Sequence, residues 1–152
     1  MTFLAKPRAN ILVDILQFSE PSTLTLNYEW GIESSQSATN TSIVIDGNGY
    51  IQLHNNSSWR LEANCFQGFS NESNYEIIAH WYDGSSNLGN RARIHQLGAS
   101  EISRASCSLL LRSSDISGTI TVRPRITSLT GTVNNYTSNS ALPCVRIYEI
   151  KN

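Results

Sequence analysis

From Ile43 to Gly84 the chain alternates apolar and polar residues with a period of two, broken by short polar turns. Ile-Val-Ile-Asp-Gly-Asn-Gly-Tyr-Ile-Gln-Leu comes first, then Ser-Trp-Arg-Leu-Glu-Ala, then Tyr-Glu-Ile-Ile-Ala-His-Trp-Tyr-Asp-Gly. Successive side chains of a strand point to opposite faces. The period therefore puts Ile43, Ile45, Trp59, Leu61, Tyr75, Ile77 and Trp81 on a core side, and Arg60, Glu62, Glu76 and His80 on an outer side. An amphipathic helix needs an apolar stripe of period 3.6, and no stretch of the chain carries one. Strands with one apolar face bury it against a second sheet.

The rest of the chain follows the same pattern. Thr23–Trp30 predicts a strand with Leu24, Leu26, Tyr28 and Trp30 on one face. Arg104–Arg112, Gly118–Thr127 and Ala141–Ile150 predict three more. Pro124 cannot donate to a ladder, which predicts a free edge or a bulge at that position. Gly47-Asn48 suits a two-residue hairpin turn with positive φ. Gly31–Thr41, Phe66–Asn74, Ser85–Gly98 and Thr130–Ser140 read as polar loops. Ile11–Phe18 is an apolar run that fits a buried strand or a short helix equally well. The expectation is an all-β jelly-roll sandwich of eight or nine strands, one domain over 23–152, preceded by an extended N-terminal arm, 1–22.

The sequence offers little for chemistry. Charged residues are 15%, against roughly 25% in ordinary domains, and Ser, Thr and Asn fill about a third of the chain. The net charge of −1 and scattered arginines give no basic face for nucleic acid or anionic membrane. No stretch approaches the ~20 apolar residues of a membrane span. The first ten residues lack the pattern of a signal peptide, so synthesis in a cytoplasm is expected, and the glycosylation-like Asn-x-Ser/Thr triplets read as Asn- and Ser-rich turns. Cys65, Cys107 and Cys144 lie in apolar strand-like stretches and read as free buried thiols. His54, His80 and His95 lack ligand spacing, so no metal or other cofactor is expected. His80 and Asp83 fall on opposite strand faces, which argues against a local dyad. Glu62 and Glu76 are a carboxylate pair placeable on adjacent strands, but solvation is the simpler reading. No Gly-x-Ser-x-Gly elbow and no phosphate loop occur. The expectation is therefore a protein without catalytic activity. Arg123 and Arg125 share a face and suit an anion or a carboxylate on a partner subunit, with a solvated or interface strand face as the simpler reading.

Gly49-Tyr50-Ile51-Gln52-Leu53, Ser58-Trp59-Arg60-Leu61-Glu62-Ala63, Trp81-Tyr82-Asp83-Gly84 with Asn87 and Gly89, and Cys144-Val145-Arg146-Ile147-Tyr148-Glu149-Ile150 together resemble a pattern of small phage virion proteins. Those proteins are similar to the trimeric jelly roll of tumour necrosis factor and of complement globular heads. The resemblance covers about 110 residues and implies a homotrimer on a virion, made in the host cytoplasm and carried on the capsid surface. It implies either a capsid decoration (cement) protein clamping the major capsid protein, or the receptor-binding head of a tail or head fibre that recognises a host surface glycan. The apolar arm residues Phe3, Leu4, Ile11, Leu12, Val13 and Ile15 suit insertion into a capsid neighbour and favour decoration. A standalone hydrolase or lectin would need a convergent loop site. The loops at 31–41, 66–74 and 85–98 hold Phe66 and Phe69 but neither Trp nor Tyr.

Overall fold

The computed structural model describes residues 11–19, 23–33, 43–69, 75–96, 102–135 and 144–151. Phe3, Leu4 and the rest of 1–10 lie outside the described residues. Eleven strands occur among those described: β1 (Ile11–Gln17), β2 (Thr23–Leu24), β3 (Val44–Ile45), β4 (Ile51–His54), β5 (Ser57–Phe69), β6 (Tyr75–Tyr82), β7 (Asn87–Gln96), β8 (Ile102–Leu111), β9 (Thr119–Thr130), β10 (Val133–Asn135) and β11 (Cys144–Lys151). A single 3₁₀ turn at Ser113–Asp115 is the helical element among them.

All strand pairs are antiparallel, in the order β1-β11-β5-β8-β7-β6-β9-β4-β3, with β10 bridging β2 and β5. The path curls on itself into a jelly-roll sandwich. One layer is β1-β11-β5-β8 and the other is β7-β6-β9-β4-β3. They meet along the chain of pairing at one register position, Asn90 opposite Ser108. Gly89 makes this seam possible. Its φ is +69°, and a Cβ there would collide with the Ser108 carbonyl oxygen and lie 3.0 Å from the Leu109 Cα.

The core lies between the layers. Trp59, Leu61 and Ala63 of β5 and Cys107, Leu109 and Leu111 of β8 face Tyr75, Ile77, Ala79 and Trp81 of β6 and Val122 and Ile126 of β9, all of them buried. Full burial of each large apolar side chain contributes about 1.5–3 kcal/mol. Two indoles also tie the structure by hydrogen bonds. Trp81 Nε1 donates to the Cys107 carbonyl across the layers at 3.3 Å, and Trp59 Nε1 donates to the His54 carbonyl at 2.8 Å. A buried indole N–H without a partner is costly.

Of the expected core side, Ile43, Trp59, Leu61, Tyr75, Ile77 and Trp81 are buried, and Ile45 packs against them half-buried. Other expectations are corrected. Ile11–Gln17 is a strand paired with β11, and Leu16 and Phe18 are 1% exposed, so this part of the expected arm belongs to the sandwich. Thr23–Trp30 is not one strand. Asn27 adopts φ 66°, a left-handed conformation that Asn tolerates, and the resulting turn leaves Leu26 54% exposed. After the turn, Trp30 N–H donates to the Pro124 carbonyl and Ile126 N–H to the Tyr28 carbonyl. Pro124 therefore sits inside the sheet and not at its free edge. Its nitrogen turns toward this short 28–30 segment and away from β6.

Ser85–Gly98 is largely the strand β7, and Phe66–Phe69 extends β5 opposite Ala105–Ile102. Ser85–Gly98 contains Gly and Asn and Phe66–Phe69 contains Gly, all poor strand formers, and among the described side chains of β7 only Ala92 and Ile94 are buried. Ladder partners supplied by the fold override that local preference. Val133–Asn135 is likewise a strand inside an expected loop. The loop after β3 spans Asp46–Tyr50, with positive φ at Gly49 and not at Gly47 or Asn48, so it is not a two-residue turn. Asp46 Oδ1 closes it by accepting from the N–H groups of Asn48 and Tyr50 at 2.8 and 2.9 Å.

Candidate interaction surfaces

The expected outer side separates into two walls on opposite faces of the molecule. Arg60 and Glu62 project from β5 in the first layer, whereas Glu76 and His80 project from β6 in the second. Glu62 and Glu76 are thus not a pair across one cleft. Each has its own cation: Arg60 Nε lies 3.5 Å from Glu62 Oε1, and Arg93 Nη2 lies 2.6 Å from Glu76 Oε2.

The first wall is the outer face of β1-β11-β5-β8. Cross-strand register aligns Ile15, Arg146, Glu62 and Ser108 in one row, and Tyr148, Arg60 and Leu110 in the next. The Arg60 guanidinium stacks over the Tyr148 ring, 4.2 Å from its centroid. Ile15 and Leu110 flank this charged centre, 53% and 58% exposed. Ile11 and Val13 belong to the same strand as Ile15, with Ile11 opposite Glu149 and Val13 at a register shift. Their side chains lie outside the described residues.

Arg123 and Arg125 lie on the second wall, the outer face of β7-β6-β9-β4, and are brought together. Glu29, from the segment after the Asn27 turn, accepts from Arg123 Nε at 3.0 Å and from the Tyr50 hydroxyl at 2.8 Å through the same oxygen. Its other oxygen lies 3.8 Å from Arg125 Nε. Arg125 Nη2 donates to the Asn27 side-chain oxygen at 2.8 Å. Two tyrosines interleave with the guanidinium groups. Arg123 lies 4.4 Å from the Tyr50 ring centroid and 5.0 Å from that of Tyr82, and Arg125 lies 4.3 Å from Tyr82. Cation–π contacts of this kind hold guanidinium groups flat against a sheet. Burial first, then the hydrogen bond to Glu29 and its charge, raise the Tyr50 hydroxyl above its usual range. Sequence reasoning found the arginines but missed Glu29, Tyr50 and Asn27 and did not join Tyr82 to them. Only Arg123 and Arg125 share a strand, and the others arrive from three separate elements.

His80 stands beside this cluster. Its Nδ1 lies 2.9 Å from Thr127 Oγ1, and burial, then the charge of Arg91, lower its pKa from the ordinary 6.5. Asp83 is not its partner. Asp83 Oδ1 accepts from the N–H groups of Ser85 and Ser86 and from the Ser85 hydroxyl. Desolvation opposes ionisation there, but those hydrogen bonds outweigh it and hold the carboxyl below its usual range. Cys107 and Cys144 are free thiols, and the side chain of Cys65 lies outside the described residues. Burial pushes the Cys107 thiol up to about 12. Among the described residues no three His, Cys, Asp or Glu side chains are grouped to hold a metal.

A curled, all-antiparallel sandwich of this strand order defines a jelly roll of the tumour necrosis factor type. The chain is similar to the structure of Eiger TNF from S. frugiperda, with a TM-score of 0.58 over 93% of this chain and 95% of that one. Sequence identity is 9%, so the likeness is one of fold. No family model and no curated protein matches the chain.

Proposed function

We propose that this chain is a binding protein of a virion: a homotrimeric capsid decoration protein that stabilises the head shell by clamping the major capsid protein. The observation that carries the assembly part is the first wall, where Ile15 and Leu110 stand exposed on either side of the Arg60–Tyr148 stack. Large apolar side chains around an aromatic and an arginine are the usual anchors of a protein interface. The capsid part rests on the resemblance of the strand motifs to phage virion proteins. The TNF-type fold is compatible with three copies around one axis.

Size-exclusion chromatography with multi-angle light scattering on the purified protein tests the assembly. Trimers are expected, and Ile15→Glu together with Leu110→Glu shifts them to monomers. A wild-type protein that is monomeric at micromolar concentration sinks the trimer. Particles assembled without the chain test the role and are expected to release DNA on heating. Normal particle stability with lost host adsorption would instead make the chain a receptor-binding head. Deleting residues 1–10 isolates the arm, whereas deletion through residue 18 also removes β1 and the buried Leu16 and Phe18.

A further inference from the structure

The two walls differ in kind. The large apolar side chains exposed among the described residues are Ile15, Leu26, Val44 and Leu110, and none lies on β6, β7 or β9. Those three strands present Arg91, Arg93 and His95 from β7, His80 and Tyr82 from β6, and Arg123 and Arg125 from β9. The carboxylates nearby are committed. Glu76 takes two hydrogen bonds from Arg93, at 2.9 and 2.6 Å. One oxygen of Glu29 is occupied by Arg123 and Tyr50, and Asp83 is engaged in its own turn. Arg125 Nε is buried and makes no hydrogen bond, its carboxylate contact being the long one to Glu29.

His80 is central to this excess of cations. On one side it pairs in register with Arg125. On the other it faces the irregularity of β7 between Leu88 and Ala92, where Arg91 is exposed. Arg91, His80 and Arg125 thus form a row that crosses the strands, one residue from each.

We propose that this row, on the outer face of β7-β6-β9, binds an acidic polysaccharide. Its spacing is that of neighbouring strands, ~4.8 Å, which suits a polymer bearing one charge per ring laid across the sheet. A protein partner needs apolar anchors, and these three strands expose none among the described residues. A polyanion supplies the counter-charge for Arg91, which is exposed. It also favours protonated His80, so binding strengthens as pH falls through the titration of His80. The groups that face His80 and set this titration are Arg91 and Arg93 from β7, Arg123, Arg125 and Thr127 from β9, and Glu76 and Tyr82 on its own strand. The site goes beyond the decoration reading and uses the opposite layer, so either can fail alone.

Polygalacturonate titrated into the purified full-length protein at low ionic strength, at about pH 5.5 and about pH 8, tests the proposal. Binding is expected at both, tighter at the lower pH, with neutral dextran inert. Arg91→Gln, at an exposed position, should weaken it roughly three- to tenfold without altering the urea midpoint. His80→Asn should reduce the pH dependence, and Arg146→Gln on the other wall should change nothing. Absence of binding, equal binding of dextran, or wild-type affinity in Arg91→Gln overturns the proposal. Particle stability does not enter this assay.

Discussion

Three glycine-to-alanine substitutions separate backbone strain from steric collision. Gly89 combines both, because its φ of +69° disfavours any L side chain and an added Cβ meets the Ser108 backbone. Gly118 has φ +79° with nothing within 4 Å of an added Cβ. Gly47 has neither constraint. A left-handed conformation costs a non-glycine residue about 1–2 kcal/mol. Replacing glycine also reduces the entropy of the unfolded chain, which returns about 0.4–1 kcal/mol. Gly47→Ala is then expected to be neutral or stabilising by up to about 1 kcal/mol, and Gly118→Ala to destabilise by roughly 1 kcal/mol. At Gly89 the obstacle is backbone and not the end of a flexible side chain. The seam between β7 and β8 must open, at a total cost of about 3 kcal/mol or more, the range of overpacking added to strain. Urea unfolding followed by tryptophan fluorescence measures all three, since Trp30, Trp59 and Trp81 are buried. If Gly89→Ala loses no more stability than Gly118→Ala, the close approach at the seam is not structurally required and the argument fails.

Other outcomes follow from the two walls and the core. Glu29→Gln should destabilise the fold by about 1–3 kcal/mol, because Arg123 and Tyr50 keep their burial and lose a charged acceptor; an unchanged urea midpoint would contradict this. The depressed pKa of His80 means that the unfolded state binds more protons below pH 6.5. Stability should therefore fall as pH drops from 6.5 toward the folded-state pKa, and His80→Asn should flatten that part of the profile measured by thermal unfolding. Asp83 works by the same sign through a carboxyl: its stabilisation is present above the ordinary carboxylate range and is lost on acidification, so Asp83→Asn should matter at neutral pH and not in acid. In the native protein a thiol reagent at pH 8 should modify Cys144 before Cys107, which is buried with its thiol pushed up to about 12; rapid native labelling of Cys107, read by mass spectrometry, would refute its placement.

The alternation of Trp59, Leu61, Tyr75, Ile77 and Trp81 determined by itself that the chain is a β-sandwich, because a period of two leaves one apolar face to be covered. It also decided which side chains of β5 and β6 enter the core. Tertiary structure decided which strands share a layer, since periodicity assigns a face but not a neighbour. That is why Glu62 and Glu76, alike in sequence, ended on opposite walls. Pairing partners also made strands of Asn87–Gln96, Phe66–Phe69 and Val133–Asn135, whose composition reads as loop. The site followed the same rule. Arg123 and Arg125 were legible as two cations on one strand. Their shared carboxylate comes from Glu29, and the excess charge around His80 from Arg91, residues far apart in the chain that meet only because the sheet sets β7, β6, β9 and the 28–30 segment side by side.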